Sequence, residues 1–314
     1  MRVGVSLRTR PLDGEEPGAV SARIADVASL AERLGYDAVH ALDHPVPHPA
    51  YDIPALKHSY HNLDPFVELA VAAGVTSRVR LWTNLVLLAY RNPFVTAKLV
   101  ASLDVVSSGR LIFGVGTGYQ VEEFAALGVP FDQRNEIMDE AFPAMKAAWT
   151  GEPFDFVGKG FAAAGNQALP RPVQQPHPPI WVGGNSPRAV RRAVEFGQGW
   201  TPIPEPPYTQ GARGFAPLSS FENFADRIAY ARAHAERIGR TEPLDIAFST
   251  TGFAYWKGEK ASKWQQIDNA GRLAEMGVTY LTPGALVGPD ASHAEYLEAL
   301  ERHAEEFLPH LSAL

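Results

Sequence analysis

Asp43 and His44 stand side by side at the end of the run 37–42. A histidine can give or take a proton near neutral pH, and an adjacent carboxylate can orient or charge it. The same pair also reads as an ion-paired loop histidine. Three more histidines follow, His48, His58 and His61, with Asp52 and Asp64 among them. Such a set raises the question of a metal. The spacing 44, 48, 58, 61 matches no compact ligand motif, and Pro45, Pro47 and Pro49 keep His44 and His48 off a common helix face. No metal is expected.

Further along, Gly114-Val115-Gly116-Thr117-Gly118-Tyr119 reads G-x-G-x-G rather than the G-x-G-x-x-G of a dinucleotide site. Its glycines allow close approach of a flat ligand to the backbone, or simply a tight strand exit. In Gly183-Gly184-Asn185-Ser186-Pro187 an apolar strand runs into two glycines, a capping serine and a first-turn proline. Amides at such a helix start attract a phosphate, and plain capping is the other reading. Thr83 and Asn84 interrupt the apolar run 79–86. They either offer hydrogen bonds to a heterocycle edge or form a satisfied bulge. No G-x-S-x-G elbow is present. Glu122-Glu123 and Asp139-Glu140 read as solvated helix charges.

These groups need a frame. Candidate strands are Val3–Leu7, Asp37–Leu42, Val79–Val86, Arg110–Val115, Pro179–Gly183, Gly199–Ile203, Asp245–Thr251 and Thr279–Pro283. Between them lie helical patterns at Val20–Leu34, Pro93–Val106, Asp139–Trp149, Pro187–Phe196, Ser220–Ile238, Ser262–Met276 and Ala291–Phe307. Several stop at glycine, as helices commonly do. Strand–helix alternation implies parallel pairing with right-handed crossovers. Eight units in 314 residues suit a single (β/α)8 barrel spanning 1–314, with a doubly wound open sheet as the alternative. Three stretches break the rhythm: 44–62, 153–178 and 204–217. They are expected as loops, two of them insertions on the C-terminal face, where barrels place active sites.

Composition narrows the function. Cysteine is absent, which removes thiolate nucleophiles, thiolate zinc sites and iron–sulfur clusters. A net charge of -7 argues against a nucleic-acid partner. No run of about 18 apolar residues exists, so no membrane span is expected. The opening MRVGVSLRTRPLDGEE lacks the apolar core of a signal peptide. A cytoplasmic protein acting on a small-molecule substrate is the expectation.

The ordered motifs resemble the luciferase-like monooxygenase superfamily, and most closely its coenzyme F420-dependent branch. The resemblance rests on Leu34-Gly35-Tyr36-Asp37-Ala38-Val39, Asp43-His44, Arg78-Val79-Arg80-Leu81-Trp82-Thr83-Asn84 and Tyr90-Arg91-Asn92-Pro93-Phe94. It continues through Ser102–Arg110, Gly114–Gly118, Pro178–Ser186 and Gly197-Gln198-Gly199-Trp200. The order of these pieces favours the barrel over the open sheet. The resemblance implies a flavin-like ring bound at the C-terminal mouth. It makes His44 the proton-transfer residue, with Asp43 beside it. It places a third-strand bulge, often with a cis peptide, at Thr83 and Asn84 behind the ring. Gly116, Thr117, Gly118 and Tyr119 would border ring and side chain, and Gly183, Gly184, Asn185 and Ser186 would hold the cofactor phosphate. Two positions depart from the sugar-phosphate dehydrogenases of this branch: Tyr119 replaces a glutamate and His48 a tryptophan. The implied activity is F420-dependent hydride transfer to or from a small organic substrate. FMN-dependent monooxygenation and a non-catalytic flavin-binding barrel are the alternatives. The family suggests a homodimer.

Overall fold

Helix starts follow the capping chemistry of the sequence in the computed structural model, which describes residues 1–8, 16, 18–51, 60–204, 216–253, 261–288, 290–311 and 314. Asn92 accepts from the Phe94 and Val95 amides and Pro93 fills the first turn of the helix Pro93–Val106. Ser262 forms a reciprocal capping box with Gln265, and that helix, Lys263–Met276, ends at Gly277 in the left-handed region.

In chain order the elements are β1 (Arg2–Ser6), α1 (Ala19–Leu34), β2 (Ala38–Ala41), α2 (Pro65–Val75), β3 (Arg80–Thr83), β4 (Val86–Leu87), α3 (Pro93–Val106) and β5 (Leu111–Gly116). Next come α4 (Val121–Ala126), α5 (Arg134–Trp149), β6 (Phe154–Gly158), β7 (Phe161–Asn166), β8 (Ile180–Gly183) and α6 (Pro187–Phe196). The chain ends with β9 (Gly199–Thr201), α7 (Phe221–Arg237), β10 (Asp245–Ser249), α8 (Lys263–Met276), β11 (Tyr280–Thr282) and α9 (His293–Leu311). All eight expected strands are present. The third is split into β3 and β4 by a cis peptide at Asn84–Leu85. Sheet order runs β3-β2-β1-β11-β10-β9-β8-β5-β4, and β3 also pairs with β5. With β3 and β4 counted as one strand, the parallel sheet closes as a (β/α)8 barrel.

Two expectations are corrected. The helix α2 is absent from the expected list, although Asp64 caps it and Pro65 opens it. The stretch 153–178 is not wholly irregular: β6 and β7 form an antiparallel hairpin. Of the long loops, residues 52–59 and 205–215 lie outside the described residues, and Asp52 and His58 with them. Among the described residues no helix is long and apolar enough to cross a membrane.

The chain divides into two compact units, one of Met1–Leu7, Asp26–Val39 and Trp181–Leu314, the other of Arg8–Ala25 and His40–Ile180. In the first, Trp181 meets Tyr280 edge-on at 4.8 Å, and Phe224 stacks on Phe248 at 4.3 Å. In the second, alternation along β5 sends Phe113 against Trp149 of α5 and leaves Gly114 on the opposite face. Gly114 must be glycine: a Cβ there would come within 2.0 Å of the Thr83 carbonyl and 2.7 Å of the Trp82 indole nitrogen.

Trp82 also meets His40 edge-on at 5.3 Å. Part of the His40 ring is open, but its Nδ1 is enclosed without a hydrogen-bond partner. Burial pulls its pKa down to about 4. The unfolded chain, at about 6.5, therefore takes up a proton before the folded one does. Stability from this group is complete above pH 6.5 and is lost as pH falls through 4. Between pH 7.5 and 4.5 the loss should be about 2–3 kcal/mol. Urea denaturation at both pH values, on the wild type and His40→Gln, checks it; equal acid losses in the two proteins would acquit His40.

Candidate active site

The second unit gathers most of the expected residues at the C-terminal ends of β2, β3/β4 and β5. His44 leaves β2 and its Nδ1 lies 2.9 Å from Oε2 of Glu123. Glu123 is 1% exposed, and its other oxygen accepts the Val46 amide at 3.1 Å. This corrects the reading of Glu123 as a solvated helix charge. It sits on the inner side of the short helix α4 while its neighbour Glu122 stays exposed. A carboxylate on Nδ1 fixes the imidazole's orientation and sets the tautomer that leaves Nε2 as the working nitrogen. Nε2 has no hydrogen-bond partner among the described residues.

Asp43 is not the residue that orients His44. It is buried, and burial pushes its carboxyl up from the usual range, against the pull of Arg91. Arg91 grips it through both oxygens, at 2.6 and 3.1 Å, and the Leu87 amide donates to it at 3.0 Å. The same guanidinium reaches Asp64 at 3.2 Å. Thus Asp43 and Asp64 both face the Arg91 guanidinium. His48 is turned back on its own loop: its Nδ1 accepts the Ala50 amide, and its amide donates to Gln120.

Thr83 is buried, with its hydroxyl donating to the Gly114 carbonyl at 2.8 Å. Its side chain is therefore spent inside the wall. Asn84 donates its backbone amide to the Ala41 carbonyl at 2.7 Å, which ties the turn to β2. Gly116 lies buried at the end of β5, where an added Cβ would meet Leu85 at 3.2 Å and Leu87 at 3.3 Å. Thr117 donates its hydroxyl to the Met138 sulfur. Gly118 takes a φ of +85° beside the Phe124 ring. Tyr119 lies against His44, with ring centroids 5.7 Å apart, and shares a hydrogen bond of 2.8 Å with the hydroxyl of Tyr60. Sequence reasoning missed Tyr60, Arg91 and Glu123 as site members.

In the first unit, Gly183–Ser186 joins β8 to α6. Gly184 turns the chain at φ +110°, a conformation that side chains resist. Ser186 accepts the Ala189 amide and caps the helix. The Asn185 side chain is fully engaged by the Ile203 amide and the carbonyls of Ile203 and Ala216. So Asn185 offers a ligand its backbone only. Among the described residues the N–H groups of Gly184, Asn185 and Ser186 make no backbone hydrogen bond. Consecutive open amides at the start of a helix fit a phosphate.

Comparison with known proteins agrees with this architecture. The family profile described as luciferase-like monooxygenase matches residues 1–311. An uncharacterized protein of Mycobacterium tuberculosis is 34% identical over 190 residues, 57% of this chain and 67% of that protein. The F420-dependent hydroxymycolic acid dehydrogenase of the same organism is 29% identical over 57% of this chain and 48% of its own length. The crystal structure of monooxygenase RslO1 from Streptomyces bottropensis superposes with a TM-score of 0.79 over 99% of both chains, at 23% identity, which speaks for the fold alone. The chain belongs to the luciferase-like monooxygenase family, whose members are flavin- or F420-dependent oxidoreductases and monooxygenases.

Proposed function

We propose that this chain is an F420-dependent oxidoreductase that moves a hydride between the deazaflavin and a small organic substrate. The observation that carries the reading is His44, held at Nδ1 by buried Glu123 and with Nε2 unpaired among the described residues. Each hydride gained or lost by a carbonyl or alcohol carbon is matched by a proton on its oxygen, and His44 is built to move that proton. F420, when bound, supplies or takes the hydride. In this reading the Asn84–Leu85 turn of the second unit backs the ring; in the first unit the amides of Gly184, Asn185 and Ser186 are the candidate for a phosphate. Thr83 and Asp43 support the wall rather than touch the cofactor. The F420-dependent relative supports this reading, and a flavin-dependent relative, 32% identical over 136 residues, supports the FMN alternative.

Fluorescence titration of the purified protein with F420, and separately with FMN, tests the assignment. Preferential saturation by F420 is the expected result. Preference for FMN, with oxygen uptake once the flavin is reduced, would replace it by a monooxygenase. Binding of either cofactor without turnover across a panel of alcohols, enones and imines would leave a non-catalytic binding barrel.

A further inference from the structure

The imidazole of His44 is walled by phenols. Tyr60 meets it edge-on with ring centroids 4.8 Å apart at an interplanar angle of 90°, and Tyr119 does so at 5.7 Å and 75°. The hydrogen bond of 2.8 Å between their hydroxyls locks the two rings against each other. Tyr51 extends the wall, edge-on to Tyr119 at 5.8 Å. Tyr60 is buried and Tyr119 half-buried, so the pair is part of the frame and still reaches the surface through Tyr119. Aromatic faces of this kind favour flat partners.

Two carboxylates stand beside the wall among the described residues. Glu123 lies behind His44, and Glu122 accepts from Tyr51. Arg91, the guanidinium of this network, is already shared by Asp43 and Asp64. A phosphate or carboxylate entering beside His44 would meet carboxylates without an uncommitted arginine from this cluster, and like charges at short range repel strongly.

We propose that Tyr60 and Tyr119 determine specificity, so that the position beside Nε2 of His44 takes a flat, uncharged aryl or conjugated alcohol or carbonyl compound and turns away its anionic analogue. The inference rests on the hydride-transfer reading only for placing substrate at His44. A glutamate in place of Tyr119 would add charge exactly where this chain has a ring; the phenol instead leaves the wall neutral.

A pair of matched alcohols tests it: 4-methoxybenzyl alcohol and 4-(hydroxymethyl)benzoate, of similar shape, the first neutral and the second an anion. Ligand-observed NMR titration gives both affinities on the full chain, with and without F420. The wild type should bind the neutral alcohol at least about tenfold more tightly. Tyr119→Lys should cut that ratio by about tenfold or invert it, while Tyr119→Phe should keep it within about twofold. If Tyr119→Lys does not fold, Tyr119→Gln reads the same wall: it should weaken the neutral alcohol alone. Equal affinities, tighter binding of the benzoate, no binding of either, or a ratio unmoved by Tyr119→Lys or Tyr119→Gln would overturn the proposal. A neutral preference in a protein that does not bind F420 would sink the cofactor reading and leave this one standing.

Discussion

Replacing His44 with alanine should lower turnover by about 10²–10⁴-fold, with cofactor affinity nearly unchanged. The expectation follows from the split of duties in the second unit. In the proposed reading the cofactor ring rests on backbone at Asn84–Leu85, whereas Nε2 of His44 has no hydrogen-bond partner among the described residues. Added imidazole should restore part of the lost rate, because a diffusible base can occupy the space the side chain vacates. Glu123→Gln should cost less, about 10–100-fold, in the range seen when the partner of a working histidine is altered. An amide can still accept from Nδ1, so orientation partly survives, but the charge-assisted hydrogen bond from the carboxylate is gone. Imidazole should not rescue Glu123→Gln, since His44 still fills its place. Steady-state kinetics on both variants with and without imidazole decides the matter. Full turnover in His44→Ala would remove the residue from the mechanism, and rescue of Glu123→Gln would show that Glu123 does not act through His44.

Much of this frame is legible from residues alone, for reasons that also explain the gaps. The eight strands could be located because buried parallel strands are short apolar runs bounded by glycine, proline and capping residues. Pro93–Val106 and Pro187–Phe196 could be bounded to the residue, since a cap and a first-turn proline mark each start. The helix α2 hides because PFVELAVAAGV is apolar nearly all round and so has no helical period to detect. The β6–β7 hairpin hides behind the prolines that follow it. Within the site, His44 and the third-strand turn are visible because each breaks an apolar pattern. Glu123 is not: beside Glu122, at the start of a helix of six residues, nothing local says which of the two points inward. That choice is made by the way α4 returns against the loop after β2, over 79 residues of separation. Adjacency in sequence misleads in the same way at Asp43, whose side chain turns from His44 to Arg91, 48 residues on.

Arg91→Met should destabilise the fold by about 3–5 kcal/mol, the loss typical of stranding one member of a buried ion pair. Asp43 has only 2% of its side chain exposed, and the guanidinium supplies its two strongest partners. Without Arg91 the carboxylate keeps, among the described residues, only the Leu87 amide at 3.0 Å. Burial already raises this carboxyl, and the loss of the cation would raise it further. A carboxyl whose folded pKa lies above its unfolded one favours the folded state at low pH and loses that advantage as pH rises through the folded value. The deficit of Arg91→Met should therefore be largest at neutral pH and shrink toward pH 4. Asp43→Asn combined with Arg91→Met should recover most of the loss, because a neutral amide accepts the Leu87 N–H without needing a counter-charge. Asp64 is little affected in either variant, since its other oxygen still caps α2 through the Phe66 amide at 2.9 Å. Urea denaturation of the two single variants and the double variant gives the coupling energy directly. A single Arg91→Met within about 1 kcal/mol of the wild type would mean that the pair is screened like a surface bridge. A large loss restored by Asp43→Asn would instead make the Asp43–Arg91 pair the clamp that joins the exit of β2 to the turn after β4. His44 follows that clamp by one residue, so its position is set on one side by Arg91 acting through Asp43 and on the other by Glu123.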